Sequence, residues 1–277
     1  MQTMNARHAL RAMHAVVLRE VLKFSRQSGR LLSALVRPLL WLAVFAAGFR
    51  NVFGMAIAPP YETYVPYDVY IVPGLVGMVL LFNGMQSSLA MVYDREMGLM
   101  RLLLTAPLPR WWLLLCKLVA TASLSLLQAL VFVLVALAVG VDLPWQNGLA
   151  LAHALLAAAA GAVMLGALGL LLSVHVKQLE NFAGTMNFVI FPMFFLSTAL
   201  YPLWKLEESG AMWIFQAARF NPFTHAVEWF RFALYGQPPG WAPAVVLGVT
   251  AVCFALACRG YDPARAFAKA PGRGASA

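Results

Sequence analysis

Charge is scarce in this sequence. Only 11% of its 277 residues are Asp, Glu, Lys or Arg, while 62% are hydrophobic and the mean hydropathy is +0.75. A soluble domain carries roughly 25% charged and 45–50% apolar residues. A water-soluble globule of this length could not cover so much apolar surface, so lipid is the solvent that the composition demands. Cysteine is scarce too. Cys116, Cys253 and Cys258 lie in or beside apolar runs, with no C-x-x-C pair and no His/Cys cluster at metal-ligand spacing. They read as small buried hydrophobes rather than as ligands. Several chemical signatures are missing as well. No Gly-Lys pair occurs, which removes the G-x-x-x-x-G-K-[ST] loop that cradles phosphates, and there is no H-E-x-x-H and no G-x-S-x-G.

What the sequence does contain is apolar runs long enough to span a bilayer, which takes about 20 residues each. Six stretches qualify: 31–49, 69–92, 118–141, 148–173, 182–204 and 241–258. The expected architecture is therefore all-α and integral to the membrane, with six transmembrane helices. Three divisions follow: a cytoplasmic N-terminal segment over 1–30, a six-span membrane domain over 31–258, and a basic tail over 259–277. No short apolar core with a small-residue cleavage site opens the sequence, so the first apolar helix is expected to act as the insertion signal.

The basic residues set the orientation. The formal net charge is +9. Fifteen Lys and Arg fall on one side of the six spans: six before the first, four between the second and third, Lys177, and four after the last. Only Arg50, Lys205, Arg219 and Arg231 fall on the other. This asymmetry puts both termini in the cytoplasm and reads as topology rather than as a nucleic-acid surface. Arg37 lies inside the first span. Its long stem can snorkel to the cytoplasmic headgroups, or its head can meet a substrate or lipid headgroup.

Two segments that do not span stand out. Arg19, Lys23, Arg26 and Arg30 recur at helical spacing, with Val17, Val21 and Phe24 roughly opposite. This pattern fits an amphipathic helix lying in the cytoplasmic interface, or else a solvated basic arm. The connection 202–239 is crowded with aromatics and interrupted by Arg219, Glu228 and Arg231. Neither half spans cleanly, and a helical hairpin dipping into the outer leaflet fits, provided protein covers its broken backbone.

The source of energy is the next question. The second to sixth spans hold no Asp, Glu, Lys or Arg at their centres, and His153 lies near the outer end of its span. Without a nucleotide loop or a mid-membrane ion relay, driving force is expected from outside the chain. The best intramembrane polar cluster is Asn83, Gln86 and Ser87, which share one helical face. Interhelical hydrogen bonding and the lining of a translocation path both account for it.

The cytoplasmic loop after the second span reads Tyr93-Asp94-Arg95-Glu96-Met97-Gly98-Leu99-Met100-Arg101-Leu102-Leu103-Leu104-Thr105-Ala106-Pro107-Leu108-Pro109-Arg110, leading to Cys116-Lys117. Arg95, Glu96, Gly98, Leu103, Pro107 and Lys117 resemble the Arg-Glu-x-Gly stretch, leucine-rich turn, Pro and Lys of the membrane permeases of type-2 ABC exporters. Asn221-Pro222-Phe223 followed by Glu228 to Arg231 resembles that family's outer hairpin. Phe195 to Pro202 resembles the close of its fifth span. Cys116 stands where the family has Gly, and Arg101 where it often has an acidic residue.

The resemblance implies a permease subunit of an ATP-binding cassette exporter that is not itself an enzyme. It would form a homodimer and pair with a separate ABC ATPase that binds the ATP and Mg, the chain itself holding no cofactor. Arg95, Glu96, Gly98, Arg101 and Pro107 would couple to that subunit, and Asn83, Gln86 and Ser87 would line the path. Asn221, Pro222, Glu228 and Arg231 would shape the outer hairpin. The loop's mix of charge and leucine suits docking in a partner's groove, or a helix lying on its own protein. Compact exporters of nodulation factors, lipo-oligosaccharides and drugs are the most similar forms. They imply an amphiphilic cargo and a bacterial cytoplasmic membrane. A non-transporting membrane anchor and an ion-coupled carrier are the competing readings.

Overall fold

The computed structural model describes residues 6–26, 28–49, 54–55, 60–61, 65–96, 109–144, 148–176 and 179–261. Among these residues the chain is helical except for turns and one two-residue antiparallel pair, β1 (Gly54–Met55) with β2 (Val65–Pro66). In chain order the helices are α1 (Ala6–Ser25), α2 (Ser28–Phe49), α3 (Tyr67–Glu96), α4 (Arg110–Ala138), α5 (Gly148–His175), α6 (Leu179–Phe195), α7 (Leu203–Glu208), α8 (Met212–Phe220), α9 (Pro222–Leu234) and α10 (Ala242–Gly260).

Four of them, α3, α4, α5 and α10, are long and apolar enough to cross a membrane. Two shorter apolar stretches, Leu35–Phe45 within α2 and Gly184–Phe195 within α6, accompany them. The chain is an all-α, multi-pass membrane protein. In lipid a helix satisfies its own backbone donors and acceptors, which is why these apolar runs take no other form.

α3 is the hub. Every residue from Tyr70 to Met85 is buried, with α2, α4, α5, α6 and α9 around it. Small residues let the backbones close in, since packing rather than a hydrophobic drive holds helices together in lipid. A Cβ on Gly169 of α5 would overlap the Ser88 hydroxyl and the Gly84 carbonyl of α3. A Cβ on Gly74 would strike the backbone of Ala199, so the outer half of α3 lies directly on the turn after α6.

Two helix limits differ from the sequence expectation. The third apolar run begins its helix at Arg110 rather than at 118, because Pro109 holds an extended φ/ψ and sets the start. The fifth stops at Phe195 rather than at 204. There the Ser197 hydroxyl donates to Phe194 O at 2.6 Å and accepts from Ala199 N at 3.2 Å, trading helix for turn. The connection 202–239 is helical as expected, but it is three helices, α7 to α9, rather than a hairpin of two. The basic N-terminal pattern is also divided. α1 closes at Ser25, so Arg30 sits in the first turn of α2 and outside the amphipathic helix that holds Arg19 and Lys23.

Candidate functional site

The polar residues of this bundle gather at three levels along α3. The innermost is a cavity of about 40 Å³ lined by Glu20 and Phe24 of α1, Asn83 and Ser87 of α3, and Lys117 and Thr121 of α4, among others. Such a space has room for a few waters and offers them polar partners. α1 contributes because its apolar face turns inward, as the sequence pattern implied: Phe24 is buried, and Val17 and Val21 are half-buried. The Trp112 indole donates to Ala9 O at 3.2 Å and fixes α1 against α4. Arg19 is exposed on α1 and pairs with Glu20 at 2.8 Å; Arg26 is exposed just past its end. The side chains of Lys23 and Arg30 lie outside the described residues.

One turn deeper, Asn83 Nδ2 donates to Ser125 Oγ at 3.1 Å, and that hydroxyl donates to Thr121 O at 2.9 Å. Gln128 continues the same face of α4. It is 1% exposed, and among the described residues neither its amide oxygen nor its nitrogen has a hydrogen-bond partner. Leaving such a group unmet costs about 1–3 kcal/mol. No sequence signal distinguished Gln128 from a packing residue.

A second cavity, of about 60 Å³, adjoins Asn83 on the α2 side, where Arg37, Phe82 and Gln86 help to line it. The Arg37 guanidinium stands over the Phe82 ring, 3.9 Å from its centroid. Phe82 lies 11 residues before Tyr93, the inner end of the apolar part of α3. That is about 16 Å at 1.5 Å per residue. The Arg37 head is therefore held on the Phe82 ring, level with the middle of α3. The buried Pro38 and the facing ring hold its head beside the middle of α3. The three residues expected to line a path are thus divided: Asn83 touches both cavities, Ser87 the inner one and Gln86 the outer one.

The outermost level is a knot around Arg231 of α9, which is 2% exposed. One arm pairs with Glu228, one helical turn back, and the other donates to Thr198 O at 2.9 Å. The guanidinium also covers the Tyr70 ring at 4.2 Å. Tyr70 donates to the same Thr198 O at 3.1 Å, and Tyr67 donates to Leu200 O at 2.7 Å. Tyr61 and Tyr235 cross edge to face beside them, with centroids 5.0 Å apart. Burial pushes the Tyr235 phenol up to about 12 against the opposing pull of Arg231. Burial raises Tyr61 as well, so both remain protonated at physiological pH.

Asn221 works from the other side of the same turn. It caps α9 by accepting from Phe223 N at 3.0 Å, while its Nδ2 reaches Met193 O at 2.7 Å and Leu196 O at 2.6 Å. Carbonyls freed at the end of α6 are thereby met. Pro222 opens α9, where its missing N–H costs nothing. All four expected outer-hairpin residues thus act within α9 or at its start. His153 is a packed histidine, accepting from the Trp229 indole at 3.3 Å.

Of the expected coupling residues, Arg95 and Glu96 close α3, with side chains outside the described residues. Gly98, Arg101 and Pro107 lie wholly outside them. The sequence pattern singled out Glu228 and Arg231, but not their pairing, and the tyrosines and the Thr198 carbonyl that complete the knot are distant in sequence and carried no motif.

The model of the family described as ABC-2 type transporter matches residues 11–235, from α1 through α9. The protein of Porphyra purpurea named transport permease ycf38 is 29% identical over 227 residues, covering 80% of this chain and 74% of its own. Proteins of the same name are 29% identical over 222 residues in Pyropia yezoensis and 27% identical over 227 in Cyanophora paradoxa. These cover 79% and 80% of this chain, and 72% and 74% of the relatives.

Proposed function

The chain belongs to the ABC-2 type transporter family, and from that premise we propose that it exports an amphiphile under power from a separate ATPase. As a member it is the membrane permease subunit of an ABC transporter, a transport subunit rather than an enzyme. The finer reading has it move a lipid, lipid-linked saccharide or amphiphilic small molecule out of the cytoplasm.

The observation that carries this reading is the placement of polarity. Asn83, Gln86, Ser87 and Arg37 meet two cavities beside the middle and inner half of a helix that is buried and apolar from Ile71 to Phe82. A simple anchor has no use for such cavities. An ion-coupled carrier would place carboxylates there, and among the described residues Glu20 alone approaches, from α1.

In this reading α2 and α6 complete six spans around α3, α4, α5 and α10, and α1 lies in the cytoplasmic interface. Both termini face the cytoplasm of a bacterial cell, with residues 1–30, 31–258 and 259–277 as the three divisions. Arg95, Glu96, Gly98, Arg101 and Pro107 meet the ATPase, which holds ATP and Mg. α2 and α6, which meet where Trp41 packs on Phe194 and Phe195, each expose apolar side chains, Leu40 and Val44 on one and Phe188 and Phe191 on the other. They support a homodimer that closes the path between two copies.

Co-purification of the permease with its ATPase tests the coupling. The double exchange Glu96→Arg with Arg101→Glu should leave the chain inserted but lower the amount of ATPase retained and its stimulated turnover. Retention and turnover at wild-type levels would remove the loop from this role.

A further inference from the structure

A helix in lipid can leave apolar side chains outside, but hydrocarbon offers nothing to satisfy a polar one. Three helices at the edge of this bundle keep to that rule. Among the described residues, every exposed position at 118–138 of α4, 148–172 of α5 and 242–258 of α10 is apolar or glycine, Leu130, Leu155 and Leu256 among them. α6 departs from it. Asn187 lies within the apolar stretch Gly184–Phe195 and is exposed. Its amide has no hydrogen-bond partner among the described residues. Arg37 of α2 is exposed too, but the Phe82 ring lies under its head; Asn187 has no such cover.

The surroundings of Asn187 show what kind of group can meet it. Gly184, Asn187, Phe191 and Phe195 recur at i, i+3, i+7 and i+11, so they share one side of α6. All four are exposed. A Cβ on Gly184 would meet nothing within 4 Å. Its small size therefore serves no packing inside the chain, and it leaves room for the backbone of another helix to come close. Phe191 and Phe195 stack with centroids 6.2 Å apart and continue the stripe as an apolar ridge. An amide carries both donors and an acceptor, so it is its own complement. A two-fold contact asks for that property, because a residue near the axis faces its own copy. A cation in the same place would repel itself.

We propose that α6 packs against α6 of a second copy of the chain along this stripe, with the two Asn187 amides hydrogen-bonded to each other near the two-fold axis. A single polar pair inside an apolar helix contact fixes its register at a cost in stability, so Asn187 sets the level at which the two copies meet. Gly184 marks the closest approach, and the phenylalanines hold the helices apart toward the C-terminal end of α6. The pairing rests on the homodimeric reading of the permease and names the contact that aligns it.

The full chain, labelled with one fluorophore and reconstituted at falling density in lipid bilayers, gives its dimer fraction by counting photobleaching steps. Asn187→Leu should lower the association constant about tenfold, as the loss of one interhelical hydrogen-bonded pair dictates. Asn187→Gln should keep part of it, and Leu156→Ala, on the exposed side of α5, should leave it unchanged. Asn187→Cys should give a covalent dimer on oxidation, and Leu156→Cys should not. A wild-type chain that stays monomeric at every density overturns the homodimer and the pairing with it. A dimer whose association is unchanged in Asn187→Leu, or one that yields no more covalent product from Asn187→Cys than from Leu156→Cys, leaves the homodimer standing and overturns the pairing alone.

Discussion

Replacing Arg231 with methionine removes the one fully buried cation among the described residues and keeps most of its volume. Three interactions vanish together. The charged hydrogen bond to Thr198 O at 2.9 Å contributes about 1.5–3 kcal/mol. The contact over the Tyr70 ring at 4.2 Å adds about 1–2 kcal/mol where water is excluded. Glu228, 23% exposed on its side chain, loses its partner while half-buried. Breaking a buried pair from one side costs about 3–5 kcal/mol, which matches the sum of the parts. For a chain of this size that corresponds to a fall of roughly 10 °C in melting temperature, read by fluorescence-detected size exclusion of the heated protein in detergent. Arg231→Lys keeps the charge but cannot reach Glu228 and Thr198 O through one rigid fork, so its fall should be intermediate. Glu228→Gln combined with Arg231→Met should lose less than the two single losses added, because the second change removes a group that the first has already stranded. A melting temperature for Arg231→Met within about 2 °C of wild type would refute the knot as a stabilising element.

Three other outcomes are expected. Asn221→Ala should cost about 2 kcal/mol, seen as a lower melting temperature, because it removes the α9 cap and the donor to two carbonyls at the end of α6 and just beyond it. Gln128→Leu should stabilise the permease by about 1–2 kcal/mol in the same assay, since neither polar atom of the amide has a partner to lose; a loss of stability would mean that a bound group satisfies it. Gly169→Leu should block assembly of the bundle, reported as aggregation on size exclusion, because its side chain would have to displace the Gly84 carbonyl as well as the flexible Ser88 hydroxyl.

Much of the fold was legible because lipid imposes a simple rule. A run of about 20 apolar residues must be a helix, and α3, α5 and α10 coincide with three such runs to within a few residues, while α4 overlaps a fourth. The limits were less legible where they depend on a single side chain. Ser197 ends α6 nine residues earlier than apolarity alone suggested, and Pro109 starts α4 eight residues before its expected start. Arg37 reads as an interfacial anchor by its position near the start of an apolar run, and nothing in the sequence shows that Phe82 of a neighbouring helix lies under its head. The helical spacing of Asn83, Gln86 and Ser87 placed all three on one face, yet α2 and α4 converge on that face and divide it into two cavities.

The Arg231 knot and the inner cavities share one helix. α3 runs 30 residues, about 45 Å, from the Tyr67 and Tyr70 hydroxyls that hold the turn after α6 to Glu96 at its C-terminal end. Between Tyr70 and Met85 it has no exposed side on which to slide or bend freely, and Gly74 and Gly84 bring its backbone against neighbours at both levels. Close-packed contacts of this kind do not deform gradually; they hold or they exchange for another packing. A push on residues 93–96 would therefore be felt at Asn83 and at the outer turn as movement of one body. The polar cavities lie along its C-terminal half, where a small shift changes which side chains face each other, while the N-terminal half is fastened through the Thr198 and Leu200 carbonyls, which accept from Tyr70, Tyr67 and Arg231. Loosening that outer fastening should alter the geometry at Asn83 without touching it. Disulfide cross-linking of Ser87→Cys with Thr121→Cys, residues that line the same cavity, measures this directly: the cross-linking rate should change in the Arg231→Lys background, and an unchanged rate would mean that α3 bends between the two levels.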